Sequence, residues 1–572
     1  MPHDLLIKNG TVIDGSGAPA FRADVAVRAG KVAAVGRIGG AADETIDAEG
    51  LVVSPGFIDM HTHYDAQLCW DPLATSSSWH GVTTVVTGNC GYGIAPTTES
   101  GRAYTAALMA HVEGISLDVL NAGVDWDWET FGDFLRRLER NRLGVNVAAQ
   151  VPHSPLRYYV MGEAAYERES TPEELERMKG ELRRAMAEGA IGFSTLQAEG
   201  RIGAWGKPIP SELATFEELH GLASVLGEVN AGVINISPRP GTSTISPEYR
   251  EFLIAWSRDT GRPVVWGQFM HRWDQPDMWR ELLGFMDDAK ARGASIYALA
   301  KCQSLDLEFT LQRTDLFATY PTWRDVLAKP GQERKRLLAD PGVRAKLRSE
   351  LEPQPGALPA RRPESLEVRR TVLAKNKALE GRRLVDLAES GQHVVDVLLD
   401  LALEEDLETR FVFTGVMNGD PDAVGQMIQS EHCLPGSSDA GAHLDMDCGV
   451  DYTSLLLGHW VRDKHVMGLE EGVRRLTSMP ASVLGLTDRG LLKEGMAADI
   501  VVFNRETISA LPREIVNDLP GGAPRIVQRA VGVAAVIVNG QTVFRDGVHS
   551  GAMPGAILGA VKRGAAGTPS AR

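Results

Sequence analysis

At 572 residues the chain exceeds what one hydrophobic core ordinarily holds, so a large catalytic body with smaller appended units is expected. Apolar residues make up 43% and charged residues 23%, which excludes wholesale disorder. Its 59 basic against 75 acidic side chains leave a net charge of -16, which argues against nucleic acid and anionic membrane as partners.

The sequence opens without a basic region followed by a long apolar stretch, and no later apolar run approaches membrane-spanning length, so a cytoplasmic protein is expected. Five cysteines, Cys69, Cys90, Cys302, Cys433 and Cys448, are odd in number and scattered, unlike a disulfide framework.

In chain order, short strands are predicted at 5–8, 25–28 and 32–35, punctuated by Asn9-Gly10, Asp14-Gly15 and Ala29-Gly30 turns. The far end repeats the pattern at 500–503, 534–538 and 542–545, with an Asn539-Gly540 turn. Segments 1–55 and 488–550 are therefore read as one small β-sandwich built from both termini. Between them, apolar runs at 56–60, 83–87, 145–151, 190–194, 233–236, 263–268, 295–300 and 433–437 alternate with amphipathic stretches. This is the pattern of a distorted TIM-like (β/α)8 barrel, in parts 56–304 and 411–487. One of its helices carries a full set of end signals, with Thr171 as cap, Pro172 at the first position, Glu174 completing a capping box and Gly189 as terminator. Residues 305–410 turn helical and charged around a Pro-rich break at 353–363 and read as a helical insertion; a lid, an oligomer contact and simple decoration all remain open. The small-residue-rich tail, 551–572, is expected to be mobile.

The sharpest chemical signal is Pro55-Gly56-Phe57-Ile58-Asp59-Met60-His61-Thr62-His63, an apolar strand ending in two histidines one residue apart. Alternate strand residues share a face, so both imidazoles point the same way at the end of a barrel strand, where two nitrogens can hold one Zn²⁺. An isolated pair of this kind also occurs as a solvated polar face. Asp439, just after the last predicted barrel strand, can complete a metal shell, accept a proton from a metal-activated water and return it to the leaving nitrogen. An aspartate before Ala-Gly is equally at home in a turn. Cys90, in Thr87-Gly88-Asn89-Cys90-Gly91, places a thiol in a Gly-rich loop after a strand, as a metal ligand or as a small buried hydrophobe.

These stretches, with His153-Ser154-Pro155-Leu156-Arg157, Gly436-Ser437-Ser438-Asp439 and Gly495-Met496-Ala497-Ala498-Asp499, resemble the amidohydrolase superfamily, within its N-acyl-D-amino-acid deacylase (D-aminoacylase) group. The resemblance spans nearly the whole chain. It implies a barrel with a flanking β-sandwich, Zn²⁺ held by His61, His63, Cys90 and Asp439, and Asp439 as general base and acid in hydrolysis of a small amide-type substrate. Family deacylases also carry metal-binding histidines on barrel strands five and six. Here those strands offer Asn235 and Gln268, with His271 a few residues late, and strand four offers no lysine, only Glu199 beyond it. One tightly held divalent metal is expected, and a second is in doubt. His153, Arg157 and His443 are the expected substrate contacts, with Arg201 and Arg239 as further carboxylate clamps. A cyclic amidase acting on hydantoin-like rings and a scaffold that has lost catalysis are the competing readings, and a homo-oligomer is left open.

Overall fold

In the computed structural model, the described residues are 2–560 except 242, 313, 315, 318, 353–361 and 445–448. Cys448, most of the Pro-rich break and the last part of the tail lie outside them. Among the described residues no helix is long and apolar enough to cross a membrane.

The body is an eight-stranded parallel sheet whose strands neighbour one another in chain order. They are β1 (Phe57–Asp59), β2 (Val82–Thr87), β3 (Asn146–Pro152), β4 (Gly192–Leu196), β5 (Val233–Ser237), β6 (Val264–Phe269), β7 (Ile296–Ala300) and β8 (Cys433–Pro435). Their two-residue period divides the apolar side chains between two cores. Ile58, Val86, Ala148, Val233, Val265, Leu299 and Leu434 meet inside the curled sheet. Their neighbours Phe57, Val85, Val147, Ile234, Val264 and Ala298 face the surrounding helices. The predicted helix is present as Pro172–Glu188, with the Thr171–Glu174 capping box formed and Gly189 left-handed at φ +116°.

Both termini enter one nine-stranded sheet. Val52–Pro55 runs parallel to His3–Val12 on one side and antiparallel to Ile500–Phe503 on the other, then passes through Gly56 directly into β1. A Cβ at Gly56 would sit 2.2 Å from Thr83 Oγ1, so this junction needs glycine. The two Asn-Gly pairs differ in use. Asn539-Gly540 turns a true hairpin between Val533–Val538 and Gln541–Arg545, whereas Asn9-Gly10 is a bulge inside the continuous strand His3–Val12, corrected from the expected turn. Asn9 takes φ +61° and its side chain bonds Asp47 at 2.9 Å, which pins the bulge to a neighbouring strand.

The insertion is helical over Pro321–Leu327, Gly331–Ala339, Pro341–Leu351 and Val394–Glu404. It also contains a three-stranded antiparallel sheet of Leu305–Phe309, Arg410–Met417 and Leu366–Arg370, and it has its own core around Trp323, Leu347, Leu398 and Phe411. The start of the tail is not loose, contrary to expectation: Gly555, Leu558 and Ala560 donate to Leu143, Val147 and Ala190 carbonyls at 2.7, 2.8 and 3.2 Å, which lays it across the entry ends of β3 and β4.

Asp499 joins sandwich to barrel. Buried at 4% exposure, it pairs with Arg489, accepts from Asn146 of β3 at 3.0 Å and takes the Asn539 main-chain N–H at 2.8 Å. Removing one member of a buried ion pair strands the other, so Asp499→Ala is expected to cost about 3–5 kcal/mol, read as a lowered midpoint in urea denaturation.

Candidate active site

Strand β1 ends at Asp59, two residues short of the first histidine, and the pair rides on its extended continuation. There Thr62 N donates to Val86 O at 3.1 Å on the β2 side, while His63 N donates to Ala440 O at 2.7 Å on the other. Asp439 N returns a bond to His61 O at 3.1 Å. The segment after β8 is thus stitched to the segment after β1, and Asp439 arrives beside both imidazoles. Its Oδ1 lies 3.4 Å from His61 Nε2 and 3.2 Å from His63 Nε2.

Cys90 Sγ is 3.4 Å from His61 Nε2. The thiol is delivered by a turn in which Gly88, Cys90 and Gly91 all have positive φ, at +74°, +54° and +68°. Gly88 is obligatory, since its Cβ would meet the Gln150 carbonyl at 2.1 Å. Cys90 and Asp439, at φ +58°, are non-glycine residues in the left-handed region, which costs about 1–3 kcal/mol each and persists where surrounding bonds over-determine the backbone. Asn89 supplies several of those bonds. Its amide donates to Thr62 O and Val86 O at 3.1 and 2.9 Å, and its Oδ1 accepts from Gln150 of β3 and Asn235 of β5 at 2.8 and 3.2 Å.

Among the described residues, His61, His63 and Cys90 form the one group compact enough to hold a metal ion, with donor atoms all within 4.8 Å of one another. Their charges depend on each other. Burial disfavours the Cys90 thiolate, but the two imidazoles win and bring the thiol down to about 6. Burial likewise opposes charge on His61, yet Cys90 and Asp439 raise it to about 9. Asp439 is held well below the usual carboxylate range against burial by both histidines. Asp439 keeps 23% of its side-chain surface exposed against 1% and 3% for the histidines, and Cys90 is also half-buried, so solvent reaches the set from the side of Asp439 and Cys90. Asp439 lines a narrow cleft with Tyr64, Gln67, His443 and Arg525.

The amidohydrolase family matches residues 44–544. The chain belongs to the amidohydrolase family. Within it, it is deacylase-like. A D-aminoacylase of Alcaligenes xylosoxydans xylosoxydans is 30% identical over 97% of this chain and 98% of its own. An N-acyl-D-glutamate deacylase of Bordetella bronchiseptica, solved with zinc and a phosphonate mimic of the tetrahedral intermediate, superposes with a TM-score of 0.67 at 27% identity, covering 98% of this chain and all of that one. A D-aminoacylase structure concerned with a binuclear metal centre, one-metal activation and second-metal attenuation superposes at 0.65 with 27% identity, covering 97% and 100%.

Not every expected contact converges on this amidohydrolase's site. His153 and Arg157 are wholly buried. His153 spends Nδ1 on Thr195 at 2.9 Å and Nε2 on Glu218 at 2.7 Å, while Arg157 pairs with the other Glu218 oxygen and donates to Arg168 O. The pair expected at the substrate is therefore committed to an internal cluster on the helix Phe216–Glu228. Arg239 is committed to the Gln197 and Glu212 carbonyls, and Glu199 lies on the surface beside it. Arg201 is exposed, and His271 sits in a loop whose main chain is held by Asn418. His443 does reach the cleft.

Glu113 was not foreseen. It follows the helix Arg102–Val112, is 2% exposed, and places Oε1 3.2 Å from His63 Nδ1. The only local signal is an acidic residue at the negative end of a helix, where it is disfavoured.

The Glu218 carboxyl is resisted by burial but pulled down to about 2 by His153 and Arg157, from an ordinary 4.5. A depressed carboxyl contributes stability above its unfolded pKa and loses it as pH falls through the folded one. Glu218→Gln is expected to cost about 3–5 kcal/mol near neutrality, with the gap to wild type closing between pH 4.5 and about 2. Paired denaturation curves across that range check it.

Proposed function

We propose that this chain is a zinc-dependent deacylase that hydrolyses the amide bond of N-acylated D-amino acids, using His61, His63, Cys90 and Asp439 as the metal-holding set and Asp439 as proton carrier. One observation carries the reading: the donor atoms of these four residues, drawn from the exit ends of β1, β2 and β8, converge beside a cleft in a chain aligned end to end with deacylases.

The residues fit the group. Two imidazole nitrogens, a thiol already biased toward thiolate and an ionised carboxylate form a borderline-soft set that suits Zn²⁺ better than Mg²⁺ or Ca²⁺. Bound there, the metal would supply Lewis acidity toward a carbonyl and lower the pKa of a water. The remaining chemistry belongs to the chain. Asp439 stays ionised between two imidazoles, so it is available to take a proton, and part of its side chain is open to solvent. It holds the proton removed from the attacking water and returns it to the departing amine nitrogen, which cannot leave as an anion. The cleft beyond it, walled by Tyr64, Gln67, His443 and Arg525, is where the acylated amino acid would lie. A single metal is the natural load for this set, because Asn235 has an amide where a second cluster would need an imidazole and spends it on Asn89. A small-molecule substrate, a cytoplasmic location and no nucleic-acid or membrane partner complete the proposal.

Purified protein should carry about one zinc per chain by elemental analysis and lose turnover of N-acyl-D-amino acids on chelation. Asp439→Asn should lower kcat by about 10²–10⁴-fold. A metal-free active enzyme, full activity in D439N, or turnover of cyclic ureides alone would each overturn the reading.

A further inference from the structure

The two imidazoles are not held alike. On the side shared with Asp439, His61 and His63 both present Nε2. On the far side both Nδ1 atoms are buried without a hydrogen bond, but that of His63 lies 3.2 Å from Glu113 Oε1, within ion-pair distance. The contact is an ion-pair approach and not a formed hydrogen bond.

Glu113 is in a costly place. Its carboxylate is taken almost wholly out of water, and it caps the negative end of the helix Arg102–Val112. Both conditions disfavour charge. Among the described residues its one ion pair is with His63. Its backbone is nevertheless fixed with care: Glu113 N donates to Met109 O at 3.0 Å, and Glu113 O accepts His443 N at 2.7 Å. The loop holding His443 also contains Gly441, at φ +92°, whose Cβ would lie 2.6 Å from the His63 carbonyl. One short segment thus fixes Asp439, Glu113 and the His63 main chain relative to each other.

We propose that Glu113 is the positioning residue of His63: it accepts the Nδ1–H, fixes the tautomer that leaves the Nε2 lone pair toward Cys90 and Asp439, and so sets the affinity of the site for a divalent cation. An outer carboxylate of this kind both orients a ligating imidazole and raises its basicity. The need is acute here, because β5 and β6 contribute no histidine and each remaining ligand carries a larger share of the binding. The inference rests on the metal-site reading given above.

The test uses the full chain as wild type, Glu113→Leu and Glu113→Ala, with Zn²⁺ alone as probe. Zinc affinity is measured by competition with a chromophoric chelator, and the His63 tautomer by ¹⁵N imidazole resonances of the metal-free protein brought to the alkaline pH at which the ring is neutral. Both variants are expected to bind Zn²⁺ about 10–100-fold more weakly, with His63 moving from the Nδ1–H to the Nε2–H form. A merely structural role for Glu113 would leave the tautomer unmoved. If E113L does not fold, E113A carries the same expectation without added bulk. Affinity within about twofold of wild type, well short of the loss expected of an outer carboxylate, with an unchanged tautomer, overturns the inference while the zinc reading stands. A wild-type chain that binds no zinc overturns both.

Discussion

The arrangement depends on one piece of main-chain pairing: the parallel contact of Thr62 with Ala440, flanked by the bonds from Asp439 N to His61 O and from His63 N to Ala440 O. A parallel sheet of eight strands has two edges, and unpaired edges inside a protein leave backbone groups unsatisfied. Here the edges are joined just beyond the ends of β1 and β8, by residues that also carry the chemistry. Ser438 reinforces the seam with its hydroxyl on His61 O, across 377 positions of sequence. Closing the barrel and assembling the donor set are therefore one event. A backbone change that loosened the seam would disperse the site without touching a functional side chain.

The seam is built against local preference. Cys90, Asp439 and His443 occupy left-handed backbone at φ +54°, +58° and +49°. Asp59 and Asp65 are buried carboxyls pushed up to about 7 and about 6 by loss of water. Each term alone is destabilising. They are tolerated because the same groups bind the frame: Asp59 accepts His61 N at 3.2 Å and Asp65 accepts Gly88 N at 3.2 Å. The other end of the barrel is bound together by Asp499, Asn146 and Asn539, a network in which the buried polar groups are paired with one another.

What sequence could reveal follows from the range of each signal. The Thr171–Glu174 capping box, the Asn539-Gly540 hairpin and the His-x-His pair are encoded within a few residues, and each is legible for that reason. Asn9-Gly10 carries the same local code as its distant counterpart, but a side-chain bond to Asp47 and pairing with the strand Ala42–Asp47 convert it into a bulge. His153 and Arg157 follow a barrel strand and so looked outward to a substrate. Their fate was set by Glu218, on the helix between β4 and β5, which no spacing rule connects to them. Glu113 is the mirror case: its meaning lies in a contact with His63 that only the closed barrel creates. The insertion's sheet was hidden for a related reason, since its strands pair across intervening helices and a helical period dominates the stretch between them.

Asn89 shows how the remaining freedom is removed. One side-chain amide reaches the continuation of β1 through Thr62 O, the end of β2 through Val86 O, and β3 and β5 through Gln150 and Asn235. An amide suits this task because it offers two donors and an acceptor in one rigid plane. Any tilt of the Cys90 turn then breaks bonds to several strands at once. The inward polar position of β5 is consequently spent on holding Cys90's loop, which ties the amide in place of an imidazole there to the firmness of the cluster formed by His61, His63 and Cys90. A site with few donors gains its selectivity from how little those donors can move, and in this chain the seam and the Asn89 hub hold them from two directions.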